Sequence, residues 1–232
     1  MFDSVRAAAA LEGELRQRIY AFVGARRRPA TREEVAAAMG ISSRLAAFHL
    51  DKLLERGLLR AHYARPPGRG GPGAGRPAKR YERSSQEVQI SIPERRYDLL
   101  TRLLVAAIQG QAPGERGSDG AMRVARERGV EGGRDLRKME RLRRPGPERT
   151  LASMERALDA YGFEPYRPSP DQVALGNCPF LIVAQETPEL VCAITRSFIE
   201  GLIRGLGNEE MQAVAERRRR ECCVVVRAPE TG

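Results

Sequence analysis

Apolar residues recur at helical spacing through 9–24 (AALEGELRQRIYAFVG), where Leu11, Leu15, Ile19, Phe22 and Val23 share one face. An amphipathic helix is expected there, stopped at Gly24. After a basic turn with Pro29, Thr31 and Glu34 have the spacing of a capping box, and EEVAAAM should continue as a short helix ended by Gly40. Ser42 or Ser43 is placed to cap a third helix running to about Glu55, with Leu45, Ala46, Leu50, Leu53 and Leu54 at its apolar positions. Gly57 closes it, and LLRAHYAR reads as a strand. The next stretch, PPGRGGPGAGRPAK, is too rich in Gly and Pro for regular structure, and KRYERS is strand-like again.

In the remainder, 93–109 (PERRYDLLTRLLVAAIQ) predicts a strongly amphipathic helix with a proline at its first position. Residues 110–119 read as a loop, and 120–145 as a highly charged helix containing several glycines. A helix over 148–161 leads to two short strands, FEPYRP and QVALGN. Residues 188–206 (PELVCAITRSFIEGLIRGL) form the clearest helix of this half, and CCVVVRAP a terminal strand.

Helix, helix, turn, helix, strand, flexible loop, strand is the order of a winged helix-turn-helix. The fold class expected is therefore α+β: a winged helix-turn-helix over 1–84, a helical linker or dimerisation region over 85–147, and an α+β sensor domain with a small antiparallel sheet over 148–232. Apolar runs fall short of the roughly 20 residues that span a bilayer, and no signal segment opens the chain, so a soluble protein of the cytoplasm and nucleoid is expected, without membrane partners.

Charge sharpens this picture. The net charge is +10, and residues 1–84 hold 17 Lys and Arg against 8 Asp and Glu, whereas 85–232 hold 23 against 22. A field concentrated in the helix-turn-helix half is what attraction to a polyanion requires. Only Lys52, Lys79 and Lys138 are lysines, so arginine abundance reflects overall composition and single arginines carry little weight.

Gly40 supplies the small residue that a helix-turn-helix needs where two helices meet steeply. With Ala46, Leu50, Leu53 and Leu54 buried, the third helix presents Ser42, Ser43, Arg44, Ala47 and Phe48 to a major groove. Arg44 suits a bidentate pair with guanine, the two serines phosphate or base edges, Ala47 or Phe48 a thymine methyl, and Lys52 a phosphate. His49 lies on the flank of the packed face, where a satisfied structural histidine is expected. In the wing, Arg65, Arg69, Arg76, Lys79 and Arg80 are candidates for phosphate or minor-groove contact. The run Arg217–Arg220 reads as a solvated helix end.

The four cysteines, Cys178, Cys192, Cys222 and Cys223, all fall in the last 55 residues. Clustered cysteines in a cytosolic chain are more often metal-binding or redox-active than disulfide-forming. No CxxC pair marks a zinc knuckle. If Cys222 and Cys223 open a strand, they point to opposite faces, so that one joins the site and the other the core. A metal site, thiol redox chemistry and plain burial as small hydrophobes all remain compatible with these residues alone.

The stretches SSRLAAFHLDKLLERGLL and GRPAKRYERS resemble the winged-helix half of ArsR/DeoR-like bacterial regulators. With ALGNCPFLIVAQETPELVC and the late CCVVV, the chain is most similar to the SufR family of iron-sulfur-responsive repressors of cluster-assembly genes, with 110–147 the poorest part. The resemblance implies a homodimeric repressor of double-stranded DNA and a 4Fe-4S cluster held by Cys178, Cys192 and Cys222 or Cys223. One departure is the adjacent cysteine pair where the family has separated late cysteines. Zinc or thiol oxidation without a cluster, or a small-molecule effector, are the alternatives that keep DNA binding. A cysteine enzyme built on Cys178 would lack a partner base, since His49 and His62 both fall in the N-terminal half, and no enzyme is expected.

Overall fold

The computed structural model describes residues 2–64, 77–143, 145–216 and 221–229. The chain divides into two compact units, Met1–Ile90 and Ser91–Gly232.

In the first unit α1 (Phe2–Ala9) and α2 (Glu14–Ala25) precede β1 (Ala30–Thr31), α3 (Arg32–Met39), α4 (Ser43–Glu55), β2 (Leu59–Ala64) and β3 (Ala78–Arg83). The helix expected over 9–24 is α2, which starts later, at Glu14 after an extended Gly13, and runs through Gly24 to Ala25, whereas α1 ahead of it was not expected. The capping box forms as expected, with Glu34 N–H donating to Thr31 Oγ1 at 3.3 Å and Thr31 N–H to Glu34 Oε2 at 2.9 Å. Gly40 sits in the left-handed region (φ 68°), which a side chain would strain, and lets α3 turn into α4. Ser42 caps α4, its hydroxyl accepting from Leu45 N–H at 3.2 Å.

The sheet has the order β1-β3-β2, all antiparallel, with Leu59 opposite Arg83 and Ala64 opposite Ala78. β2 and β3 therefore flank the segment where the wing is expected, and β1, too short to show in the pattern, pairs Ala30 with Tyr81. Ile19, Val23, Val35, Leu50, Leu53, Leu59 and Tyr81 form the core. Leu45, expected on the apolar face, is 40% exposed.

The second unit contains α5 (Tyr97–Gln109), α6 (Gly117–Met139), α7 (Pro147–Ala160), β4 (Pro165–Ser169), β5 (Gln172–Leu175), α8 (Leu181–Glu186), α9 (Pro188–Leu206), β6 (Gln212–Ala215) and β7 (Val224–Arg227). Its sheet runs β4-β5-β7-β6, antiparallel throughout. Pro93 does not open α5, because residues 95 and 96 are tied elsewhere: Arg96 N–H donates to Pro179 O at 3.0 Å and Arg95 reaches Cys178 O at 3.1 Å.

The region 85–147 is not separate. Leu99, Leu100, Leu103, Ala121 and Ala125 share one core with Leu158, Phe163, Phe198, Ile199 and Val226, and the boundary falls at 90/91 instead of 84/85. The glycines in the charged segment explain this. Gly129 and Gly133 of α6 face Gly201 and Gly205 of α9, so the two backbones touch where a Cβ at Gly133 would lie 2.9 Å from Gly205 Cα. The charged residues of α6 occupy its outer side, where Arg126 pairs with Glu200 at 3.1 Å.

Candidate functional sites: the helix-turn-helix face and the cysteine pocket

The capped start of α4 sets the first site. Ser43, Arg44 and Phe48 are exposed and Ala47 half-buried, so the face anticipated for groove reading is open to solvent. Ser42 is exposed too, but its hydroxyl already accepts the capping bond. Phe48 is 54% exposed and meets His49 edge to face at 5.3 Å, which makes it a surface aromatic and not part of the packing. Among the described residues Arg44 has no ion pair.

His49 departs from expectation. Its Nδ1 is buried and finds no hydrogen-bond partner among the described residues, and burial, with Arg16 nearby, lowers its pKa. Both effects favour its neutral form.

On the sheet, Lys79 Nζ bonds Asp51 at 2.6 Å, and Tyr81 donates to the same carboxylate at 3.1 Å. The bond to Asp51 raises the Lys79 pKa. Lys79 thus clamps β3 to α4, and any phosphate contact by it competes with this pair. Arg80 stands opposite Thr31 and His62 in the register. Lys52 pairs with Glu55 at 2.9 Å. Arg65, Arg69, Arg76 and the run Arg217–Arg220 lie outside the described residues.

The second site gathers four sulfurs that are far apart in sequence. Cys178 follows β5 in a turn fixed by Asn177, whose side-chain amide donates to Glu94 O at 3.0 Å and Gly162 O at 2.6 Å, while its oxygen accepts from Arg95. Cys192 lies near the start of α9. Cys222 N–H donates to Leu175 O at 2.9 Å, which brings the last segment alongside β5. All four cysteines line one cavity of about 240 Å³, together with Leu181, Ala184, Gln185, Pro188 and Glu221.

The expectation that Cys222 and Cys223 diverge to opposite faces of a strand does not hold. They precede β7, which starts at Val224, so strand alternation does not govern them, and both border the cavity. They divide by partner instead. Cys223 forms a disulfide with Cys192 (Cα–Cα 6.3 Å), and Cys178 and Cys222 are free, buried and hydrogen-bonded to each other.

The bond from the Cys222 thiol lowers the Cys178 pKa to about 7 against the effect of burial, with help from the Phe180 N–H and Arg95. The same bond and near-complete burial push Cys222 well up. With Cys192 and Cys223 joined, no group of three or more His, Cys, Asp or Glu among the described residues is placed to hold a metal ion. Reduction of that bond gives four soft donors around one cavity, a set that suits iron-sulfur or other thiophilic centres.

Residues 11–62 match the family model of a helix-turn-helix domain, a span that runs from the approach to α2 into β2 and takes in α3, Gly40 and the whole of α4. The match indicates a DNA-binding transcription regulator. The search of curated proteins returns no match to the chain. No helix among the described residues is long and apolar enough to cross a membrane.

Proposed function

We propose that the chain is a homodimeric repressor whose operator affinity is set by the state of its cysteine pocket, with a 4Fe-4S cluster held by Cys178, Cys192 and Cys222 or Cys223 as the signal. The observation that carries this reading is the convergence of all four cysteines on one cavity from a β5 turn, α9 and the segment before β7. Four buried hydrophobes scattered through a core would not share an opening. When bound, the cluster would supply iron-thiolate bonds that tie these three segments together. The protein's own part is to hold the thiols: Asn177 fixes the turn carrying Cys178, and Arg95 favours its thiolate.

A conformation that binds the cluster better is favoured by the cluster's differential affinity, and this couples iron-sulfur status to DNA binding. Val105 and Ile108 lie one turn apart on α5 and are 48% and 74% exposed, an apolar strip that supports this helix as the dimer contact. A two-fold dimer reads a palindrome with half-sites about 10 bp apart or a multiple of that, and genes of cluster assembly are the proposed targets.

A second reading is favoured by the Cys192–Cys223 disulfide: the pocket senses thiol oxidation directly, without a cluster. Anaerobic reconstitution with iron and sulfide separates the two. The cluster reading predicts absorption near about 400 nm, with bound iron and sulfide that are lost in Cys178→Ser. A protein that takes up neither iron nor sulfide, yet changes DNA affinity on oxidation, establishes the second reading.

A further inference from the structure

The first unit contains a basic cavity that the groove-reading face does not use. Arg6, Ala9 and Ala10 at the end of α1, Arg16 in the first turns of α2, and Lys52 and Arg56 at the end of α4 enclose about 240 Å³. Two small alanines leave the floor open, and four cations from three helices border it. The carboxylate nearest in the pairing is Glu55, bound to Lys52 at 2.9 Å. Arg16 is held by its Nε bond to Ala10 O at 2.6 Å, which positions the guanidinium at the rim. Among the described residues Arg6 and Arg56 have no ion pair. Cations near helix C-termini offset the helix dipoles, but that role needs no cavity and no convergence of three helices.

The position of the cavity identifies its occupant. Arg44, Phe48, Lys52 and Arg56 follow one another at intervals of four, so they form a single row along α4. The row begins on the exposed groove-reading face and ends in the basic cavity. A helix seated in a major groove has a sugar-phosphate strand along its flank, and the flank here leads to Lys52, Arg56, Arg6 and Arg16.

We propose that this cavity is a phosphate clamp, in which Arg6, Arg16, Lys52 and Arg56 grip the backbone of one DNA strand beside the groove occupied by α4. The inference rests on the DNA-binding reading and adds a contact from α1 and α2 that carries no sequence information. It accounts for an N-terminal helix ahead of the motif: α1 brings Arg6 to the site. Free phosphate or pyrophosphate shares the ligand chemistry, and the test separates these sources.

The test compares the full chain with Arg6→Ala/Arg56→Ala, at two exposed positions where the fold is insensitive, and with Arg6→Lys/Arg56→Lys, which keeps the charge. Binding to a random 30-bp duplex (about three helical turns) is measured across a salt series, beside thermal melts with and without pyrophosphate. The clamp predicts that the alanine pair weakens random-duplex binding on the order of tenfold and lowers the salt slope by about 2, with an unchanged melt. The lysine pair should restore most of the slope. An unchanged affinity and slope in the alanine pair overturns the clamp while leaving the helix-turn-helix reading intact. Pyrophosphate that stabilises the wild type but not the alanine pair, with DNA binding unaffected, overturns the DNA assignment in favour of a free anion. Failure of the wild type to bind any duplex at low salt removes both readings.

Discussion

Adding one methyl group at Gly133 tests whether the second unit is built on backbone contact between α6 and α9. A Cβ there would overlap Leu202 O and lie 2.9 Å from Gly205 Cα and 3.0 Å from Leu206 N. Ordinary contact begins at 3.4 Å, so the helices must part by at least about 0.5 Å (3.4 less 2.9) along this line. These three nearest neighbours are all backbone, and none can swing aside as a side-chain end would. Overpacking costs about 1–3 kcal/mol, and this site belongs at the upper end. Alanine recovers about 1 kcal/mol over glycine in helix propensity. Gly133→Ala should therefore destabilise by about 2 kcal/mol, lowering the melting temperature of this unit by about 6 °C. Far-ultraviolet circular dichroism melts measure it, with Gly117→Ala on the same helix as the control, since a methyl there meets nothing within 4 Å. If Gly133→Ala melts with or above the wild type, as Gly117→Ala should, the backbone-contact account is wrong.

Thr31→Ala removes the α3 cap and frees Glu34; urea unfolding should show a loss of about 1 kcal/mol, and Thr31→Ser should recover most of it. Arg44→Ala should cost about 1–3 kcal/mol on a selected operator and flatten preference at one base position, with random-duplex binding nearly unchanged; equal losses on both DNAs would make Arg44 a phosphate contact. In the reduced, metal-free protein a thiolate absorbance near about 240 nm should titrate with a midpoint near 7 and vanish in Cys178→Ser. Because the folded pKa lies below the ordinary thiol value of 9.0, the stability that this thiolate contributes is complete above pH 9 and is lost as pH falls through 7. A midpoint near the ordinary thiol value would remove the role given to Cys222 and Arg95.

Local chemistry made the helix-turn-helix readable: Thr31 with Glu34, the left-handed Gly40 and the Ser42 cap each act within four residues of themselves. What escaped depends on distant partners. FDSVRAAA carries no capping signal, so α1 was not anticipated ahead of the helix expected over 9–24. Lys79 reads as a free basic residue until the fold brings Asp51 to it, 28 positions away. Gln212–Ala215 is too short to announce a strand and exists by pairing with β7. The glycines in 120–145 stand out in the sequence without a role, whereas Gly129 and Gly133 are the line of contact with α9. The late cysteines stand out in the sequence as a cluster, but their pairing follows from where the chain before β7 runs, which strand periodicity does not encode.

The measurement that bears most directly on the whole account is operator affinity in three states of the full chain: anaerobic with iron and sulfide bound, reduced and metal-free, and oxidised. The account predicts that the loaded form binds on the order of tenfold or more tightly than the metal-free form, a coupling in the usual range of about 1–3 kcal/mol, and that Cys178→Ser abolishes the difference. Equal operator affinity in all three states, with the loaded state verified by its iron and sulfide content, would contradict a cysteine pocket that controls DNA binding.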